Sequence, residues 1–505
     1  MQPVVRVSLS PIVLSEAAGV IRQPFRDELS RSPDFEEQFD YLTLIYDLFW
    51  SADGTEVIGV GPPFHFPKAG NALPRFIALP SGENCTARHD RRPGRPLNGR
   101  SRFRIAAPVG TTGFEITFAS HHWVVPVQPN LSHLTRGRRG LVALTRNNPS
   151  AWVVDWINFH HRRHGFDAFL LFDNASSDPA ASALAQDIKT YCPSILCLLV
   201  EAPFPFGPTS RRTIGGPRDS NFLQAALYEV ALQRVFRDAA VLANFDIDEL
   251  LIEQTPNAFE ALIGDPSFES NLLPRFNVFG DPPTNSRLKR HRDDDRISFK
   301  HAVLPKWVAN PAALREDDQL HVHAVVGHGK RPVERESLYL AHFSALARDR
   351  GPRWNGDARG EAPPGIAHIK QNPAVRRLLN HVFSEPEALA VWSPLRLDQA
   401  DLLKRRAAIA HQTGQHEAAL ALLDRSAEVA SDHYPSLDLR QAVLLALGRE
   451  AEAALLRPTL DRASVPRFYE VMAAYHASRG EVDRAAEWRA RGALAFPAAA
   501  LRSET

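Results

Sequence analysis

Two acids, Asp246 and Asp248, stand two residues apart directly after the apolar run 239–245, and Glu249 follows them. If that run is a strand, its side-chain period of two sends both carboxylates to one face. Neighbouring carboxylates repel unless a proton or a cation relieves them. A hard divalent ion, Mg2+ or Mn2+, takes oxygen ligands and keeps places for phosphate oxygens and water. Its chemical use would be Lewis-acid stabilisation of a departing diphosphate. The bland alternative is a solvated acidic turn, and an isolated pair would deserve no more than that.

The elements that must position the pair are legible upstream. Residues 141–144 read as a buried strand ending at the turn 145–149. Ser150 is expected to cap a helix in which Trp152, Trp156 and Phe159 recur at helical spacing, stopped near Gly165. Residues 168–172 and 195–200 are further strands, a longer helix covers about 220–237, and 239–245 is a fourth strand. Alternation of this kind predicts a mostly parallel α/β sheet. Ligands bind beyond the carboxyl ends of such strands, where Asp173 and Asp246 both fall.

Three segments then resemble one family. Trp156-Ile157-Asn158-Phe159-His160, Gly165-Phe166-Asp167 and Leu171-Phe172-Asp173-Asn174-Ala175-Ser176-Ser177-Asp178 look like the opening of glycosyltransferases of the family 2/family 92 type. Asn244-Phe245-Asp246-Ile247-Asp248-Glu249-Leu250-Leu251 is similar to their Asp-x-Asp-Glu signature, and Ala341-His342-Phe343 to a His-aromatic pair near the domain's end. The likeness spans about residues 138–350. It implies a GT-A fold (Rossmann-like) and transfer of a sugar from a nucleoside-diphosphate donor to an acceptor hydroxyl with inversion, assisted by Mn2+ or Mg2+. It implies that Asn147, Asp173 and Asp246 contact the nucleotide, and that Asp246, Asp248 and His342 are metal ligands. Glu249 is the one carboxylate at hand for a catalytic base, although on an ideal strand it points away and would instead brace the loop. Relatives often carry Asn-Glu after the first strand, whereas this chain has Asn147-Asn148-Pro149.

Other candidates weigh less. His160, His161 and His164 lack the Glu of a zinc-protease motif, and a polar helix face is the expectation. His160 falls where the family places a packing His. His321, His323 and His328 precede His342 and could approach the site, with surface or structural roles the expectation. Arg348, Arg350 and Arg353 could bind phosphate oxygens bidentately or form a solvated basic face. Trp307 could stack on a sugar, with core packing the default.

Around the catalytic segment the chain is expected to be multidomain, β then α/β then α. Residues 1–135 carry short strands between turns, near 46–50, 57–60, 76–79, 103–106, 114–118 and 123–127, and predict a β-sandwich-like module. Within it 81–102 reads as an exposed loop, as does 282–296 later on. The GT-A-type domain runs over 138–355, a linker with helices over 356–398, and helical repeats over 399–498. In these repeats Gly414 with Ala419, Gly448 with Ala453 and Gly480 with Ala485 keep one offset at about the 34-residue tetratricopeptide period, and Pro497 falls at the closing proline of the last copy.

Composition sets the outer bounds. A net charge of +1 gives no field that would draw nucleic acid. The three cysteines have no zinc-type spacing and suggest a reducing compartment, hence a cytoplasmic location. Nowhere do about 18 apolar residues run unbroken, so no membrane-spanning helix is expected. The expected partners are a sugar nucleotide, a glycan or other hydroxyl acceptor, and a protein bound by the repeats. Two rivals stand beside the transferase: a non-catalytic scaffold with a degenerate transferase domain, and a phosphohydrolase, for which the further ligands of a two-metal clamp are missing.

Overall fold

The computed structural model describes residues 4–15, 19–25, 28–31, 35–70, 72–89, 101–208, 222–279, 291, 296–315, 318–327, 332–333, 337–343, 370–371, 375, 378–379, 382, 403–404, 406–429, 434–456, 472–473, 476 and 481–495. Two compact units divide the chain between Val382 and Phe383.

In the first unit, Val4–Val7 (β1) leads to Ile12–Val13 (β2) and Thr43–Ile45 (β3), which pair with each other. Then come Asp47–Trp50 (β4), Val57–Gly61 (β5), Arg75–Leu79 (β6), Asn84–Cys85 (β7), Ala87–His89 (β8), Ser101–Ile105 (β9), Gly113–Phe118 (β10) and His121–Pro126 (β11). They form two four-stranded antiparallel sheets, β4-β5-β9-β8 and β11-β10-β6-β7. Leu48, Val57, Phe103 and Ile105 from one sheet and Phe76, Phe114 and Ile116 from the other share a single buried core. The alternation of apolar and polar residues along these strands is what one buried face requires. Part of the expected loop 81–102 instead forms β7 and β8, each paired with a strand of the module.

The central sheet follows with Arg139–Thr145 (β12), Ala168–Asp173 (β13), Leu196–Glu201 (β14), Val241–Asn244 (β15), Glu249–Glu253 (β16), Ser270–Phe279 (β17), Arg296–Ala309 (β18), Leu338–Phe343 (β21) and Lys370–Gln371 (β22). A small hairpin, Gln319–His321 (β19) with Ala324–Val326 (β20), stands apart from it. The order is β1-β14-β13-β12-β15-β18-β17-β21-β16, with β22 beside β18. Strands β1, β14, β13, β12 and β15 are mutually parallel, whereas β18 and β16 run antiparallel to their neighbours. The sheet is therefore mixed rather than mostly parallel. Its edge strand β1 comes from the very start of the chain, so those residues belong to this sheet and not to the β-rich module.

Ser150–His164 (α3) and Asp178–Tyr191 (α4) are the crossovers between the parallel strands. Helix α3 ends at Gly165, whose φ of 67° suits the left-handed cap. Ser150 does not cap it. The residue before the helix is Pro149, and the Ser150 hydroxyl donates to Asp187 at 2.6 Å. Phe222–Val230 (α5) continues as a π-helical segment over Ala231–Val235 and delivers the chain to β15.

Two buried ion pairs fasten that helical segment to the β-rich module. Arg102 on β9 meets Glu229 at 2.6 Å, and Arg234 meets Asp47 on β4 at 2.8 Å. A third fastening protects the open edge of the sheet. At Leu251 on β16, the backbone N–H donates to His160 Nε2 at 3.3 Å, and the carbonyl accepts from His164 Nε2 at 2.7 Å. His160 Nδ1 donates in turn to the Trp156 carbonyl at 2.8 Å. Both histidines are buried, so they form no solvated face; they satisfy backbone groups that an edge strand leaves unpaired.

This geometry needs neutral imidazoles. Burial drives the His160 pKa well below its ordinary value and that of His164 down to about 3. A group depressed on folding adds stability above its unfolded pKa and loses it as pH falls toward its folded value. The unfolding free energy from urea titrations should hold near neutral pH and then drop from about pH 6.5 towards 3, by a few kcal/mol in total. Replacing His164 with Gln should flatten that decline. A wild-type profile that stays level from pH 7 to 4.5 would sink the idea.

The second unit contains the helices His416–Val429, Tyr434–Ala446, Glu450–Leu455 and Val482–Ala495. Leu420, Leu423, Val443, Leu444 and Met472 form its core. Gly414 and Gly448 take positive φ (77° and 74°) between helices, and Ala419, Ala453 and Ala485 are buried at the start of the next helix. Gly480 and Pro497 lie outside the described residues. Among the described residues no helix is long and apolar enough to cross a membrane. Cys85, Cys192 and Cys197 are all buried free thiols.

Candidate functional site

The chain builds β12, β13 and β14 outward in one direction, then returns to place β15 on the other side of β12. A crevice at the carboxyl ends of the strands is expected at such a reversal. Three turns meet that edge: 145–149 after β12, 173–177 after β13, and 245–248 after β15. The first two are stitched together. Asn147 N donates to Ser176 Oγ at 2.7 Å, and Asn147 Oδ1 accepts from Ser177 N at 3.1 Å. Asn147 and Ala175 hold positive φ at 51° and 58°. Asp173 Oδ1 accepts from Ser176 N at 3.0 Å. Asp173 lies two strands from the third turn, about 10 Å at ordinary strand spacing. A cavity of about 770 Å³ opens beside Asp173, walled by Tyr41, Leu42, Leu184, Leu199 and Phe204 among others.

The third turn differs from the ideal strand. β15 stops at Asn244, and Asp246–Glu249 closes as a tight turn in which Glu249 N donates to the Asp246 carbonyl at 2.9 Å. Glu249 Oε2 accepts from Asp246 N at 2.8 Å, so the turn is locked from both ends. The two aspartates therefore meet different partners instead of sharing a strand face. Asp246 Oδ2 lies 2.8 Å from Lys306 Nζ and 3.8 Å from Arg275 Nη1. Asp248 Oδ2 lies 3.3 Å from His342 Nε2.

Glu249 has no solvent exposure and also bonds Arg275. With both oxygens engaged, it braces the turn, the alternative to a role as catalytic base.

Strands set the remaining partners. His342 on β21 stands opposite Glu249 on β16 and opposite Asn277 on β17. Arg275 and Asn277 are two apart on β17, the spacing of one strand face. His342 Nδ1 bonds Asn277 Oδ1 at 2.8 Å. Since an amide oxygen only accepts, Nδ1 carries the proton, which leaves Nε2 as the ring atom facing the Asp248 carboxylate. An imidazole whose other nitrogen donates to an oxygen is the usual form of a metal ligand. Ligand atoms of Asp248, Glu249 and His342 lie within 4.8 Å of one another, so these residues could hold an ion. Burial alone would lower the Lys306 pKa, but Asp246 and Glu249 outweigh it and hold the ammonium above its usual value.

Sequence reasoning missed Arg275, Lys306, Asn277 and His291. His291 Nε2 donates to the Ile247 carbonyl at 2.8 Å, steadying the middle of the acidic turn. The missed signal for the first three was polar or charged residues set among apolar ones, Arg275 and Asn277 on β17 and Lys306 on β18. Trp307 is a core residue: fully buried, its Nε1 donates to the His321 carbonyl at 2.6 Å, and its ring meets Tyr228. His323 Nδ1 donates to the Pro305 carbonyl, and burial lowers its pKa to about 4. His328, Arg348, Arg350 and Arg353 lie outside the described residues.

No protein-family model matches the chain, and no curated protein is significantly similar to it in sequence. Among solved structures it is similar to S. aureus TarS 1–349, at 12% identity over 63% of this chain and 88% of that one, with a TM-score of 0.27. It is also similar to the apo structure of the bifunctional glycosyltransferase WbbM, at 11% identity over 41% of this chain and 36% of that one, with a TM-score of 0.23. Superpositions this loose identify neither a common active site nor a common substrate.

Proposed function

We propose that the chain is a metal-assisted glycosyltransferase with a GT-A-type catalytic domain over residues 138–355. It moves a sugar from a nucleoside-diphosphate donor to an acceptor hydroxyl, with inversion. One observation carries the reading: Asp248, in the turn that follows the parallel strand β15, and a His342 nitrogen face each other at 3.3 Å. Asp248 and His342 would hold Mn2+ or Mg2+, which when bound offsets charge developing on the leaving diphosphate. Asn147, Asp173 and Asp246 line the same sheet edge, where they can accept hydrogen bonds from a nucleoside, and the cavity beside Asp173 has the size of a small-molecule site.

The acceptor oxygen forms its bond to the anomeric carbon as the bond to the diphosphate oxygen breaks. The diphosphate leaves with that electron pair, and the acceptor proton passes to a base. The helical unit would bind a protein partner or an acceptor-bearing assembly, as stacked helix pairs do. The free cysteines favour a cytoplasmic setting.

The test is a panel of nucleoside-diphosphate sugars with Mn2+, read by nucleotide release and by thermal shift. Release from at least one donor, stopped by chelation and restored by added Mn2+, is expected. Neither release nor a thermal shift with any donor would favour the scaffold reading.

A further inference from the structure

Asp246 is charge-compensated from within the protein. Lys306, on β18, has no solvent exposure and cannot swing away as a surface lysine would. Its Nζ is 2.8 Å from Asp246 Oδ2 and 4.0 Å from Glu249 Oε2. Arg275 holds Glu249 and stands 3.8 Å from the same Asp246 oxygen. Two acids and two buried cations thus form a neutral quartet beside Asp248. If Asp246 turned to an ion, Lys306 would keep only Glu249, which Arg275 and the Asp246 N–H already occupy. A buried ammonium left without a close counter-ion is costly.

We propose that Lys306 is a positioning residue that sets the cation affinity of the acidic turn. By holding Asp246 as its own counter-ion, it withholds that carboxylate from a divalent ion and keeps the affinity moderate. The turn also keeps its shape with no ion present, because internal cations balance it. The inference rests on the metal reading above and deepens it.

The experiment is Mn2+ titration of the full chain without nucleotide, following free Mn2+ by electron paramagnetic resonance. Asp248→Asn should weaken binding by at least about tenfold. Asp246→Asn should weaken binding severalfold, because it leaves the buried Lys306 ammonium unbalanced beside the ion. Lys306→Met should bind about tenfold tighter, since a buried positive charge beside the ion is gone and Asp246 is released. The double variant Lys306→Met/Asp246→Asn, which removes one charge of each sign, should return to about the wild-type value.

A folded Lys306→Met protein with unchanged or weaker affinity overturns the proposal. If that variant does not fold, Asp246→Asn and the double variant decide: a double variant that stays as weak as Asp246→Asn overturns it. Wild-type protein that binds no Mn2+ overturns the metal reading and this inference together, whereas wild-type binding with a double variant no tighter than Asp246→Asn sinks this inference alone.

Discussion

Asp248→Asn should slow nucleotide release from the preferred donor by about 10²–10³-fold, because an ion that stabilises a leaving diphosphate contributes several kcal/mol and each 1.36 kcal/mol is a decade in rate. The substitution removes one negative charge and hardly changes shape. The Asp248 carbonyl keeps its bond from Phe343 N at 2.8 Å, and His342 keeps Asn277 at 2.8 Å. Stability should therefore change little, with the thermal midpoint moving by only a few degrees. Loss of rate with a retained fold separates a role in chemistry from a role in packing. Equal release by both proteins would show that this carboxylate takes no part, and the transferase reading would lose its support.

How far the sequence reaches depends on how local each signal is. Strands β12 to β15 and helix α3 were legible because each is a short apolar or helical run bounded by its own turn. Asp173 and Asp246 could be set at carboxyl ends for the same reason. The antiparallel half was not legible: Arg275 and Lys306 interrupt the apolar runs of β17 and β18, and the β17–β18 pairing shifts register at Leu273/Arg275 and at Phe276/Val278. β1 was hidden differently. It is four residues long, and its partner β14 is almost two hundred residues away, so nothing nearby announces a strand.

The candidate site divides in the same way. Asp248 could be named from residue type and spacing and His342 only from the resemblance, but their approach depends on β16 pairing with β21, a long-range event. The direction of Asp246 was misjudged because a period-two argument assumes a continuing strand. The chain instead turns after Asn244, whose side chain bonds the Trp307 N–H at 3.1 Å and the Val322 carbonyl at 2.9 Å. The charge partners of Asp246 and Glu249 lie on β17 and β18, and no spacing rule reaches across strands.

Arg234→Met should destabilise the first unit by about 3–5 kcal/mol, the usual cost of stranding one member of a buried ion pair. Arg234 is the hub of the seam between the β-rich module and the central domain. Its Nη1 donates to Asp47 Oδ2 and to the Ser8 carbonyl, both at 2.8 Å, and its Nε to the Pro129 carbonyl at 3.2 Å. The Asp47 side chain has no solvent exposure, so without Arg234 its charge keeps backbone donors alone, Ser10 N–H at 2.9 Å and Leu48 N–H. Burial already pushes the Asp47 carboxyl pKa up despite the guanidinium beside it, which shows how poorly this location suits an unpaired anion. Urea unfolding should show a clearly lower midpoint for Arg234→Met. Arg234→Met/Asp47→Leu should recover more than half of the loss, because a matched apolar pair avoids the buried charge. Arg234 also closes the helical segment that leads into β15, so loosening it should reduce Mn2+ affinity, although it lies outside the site. A single variant as stable as wild type, or a double variant less stable than the single, would show that the seam is held by apolar packing and not by these charges.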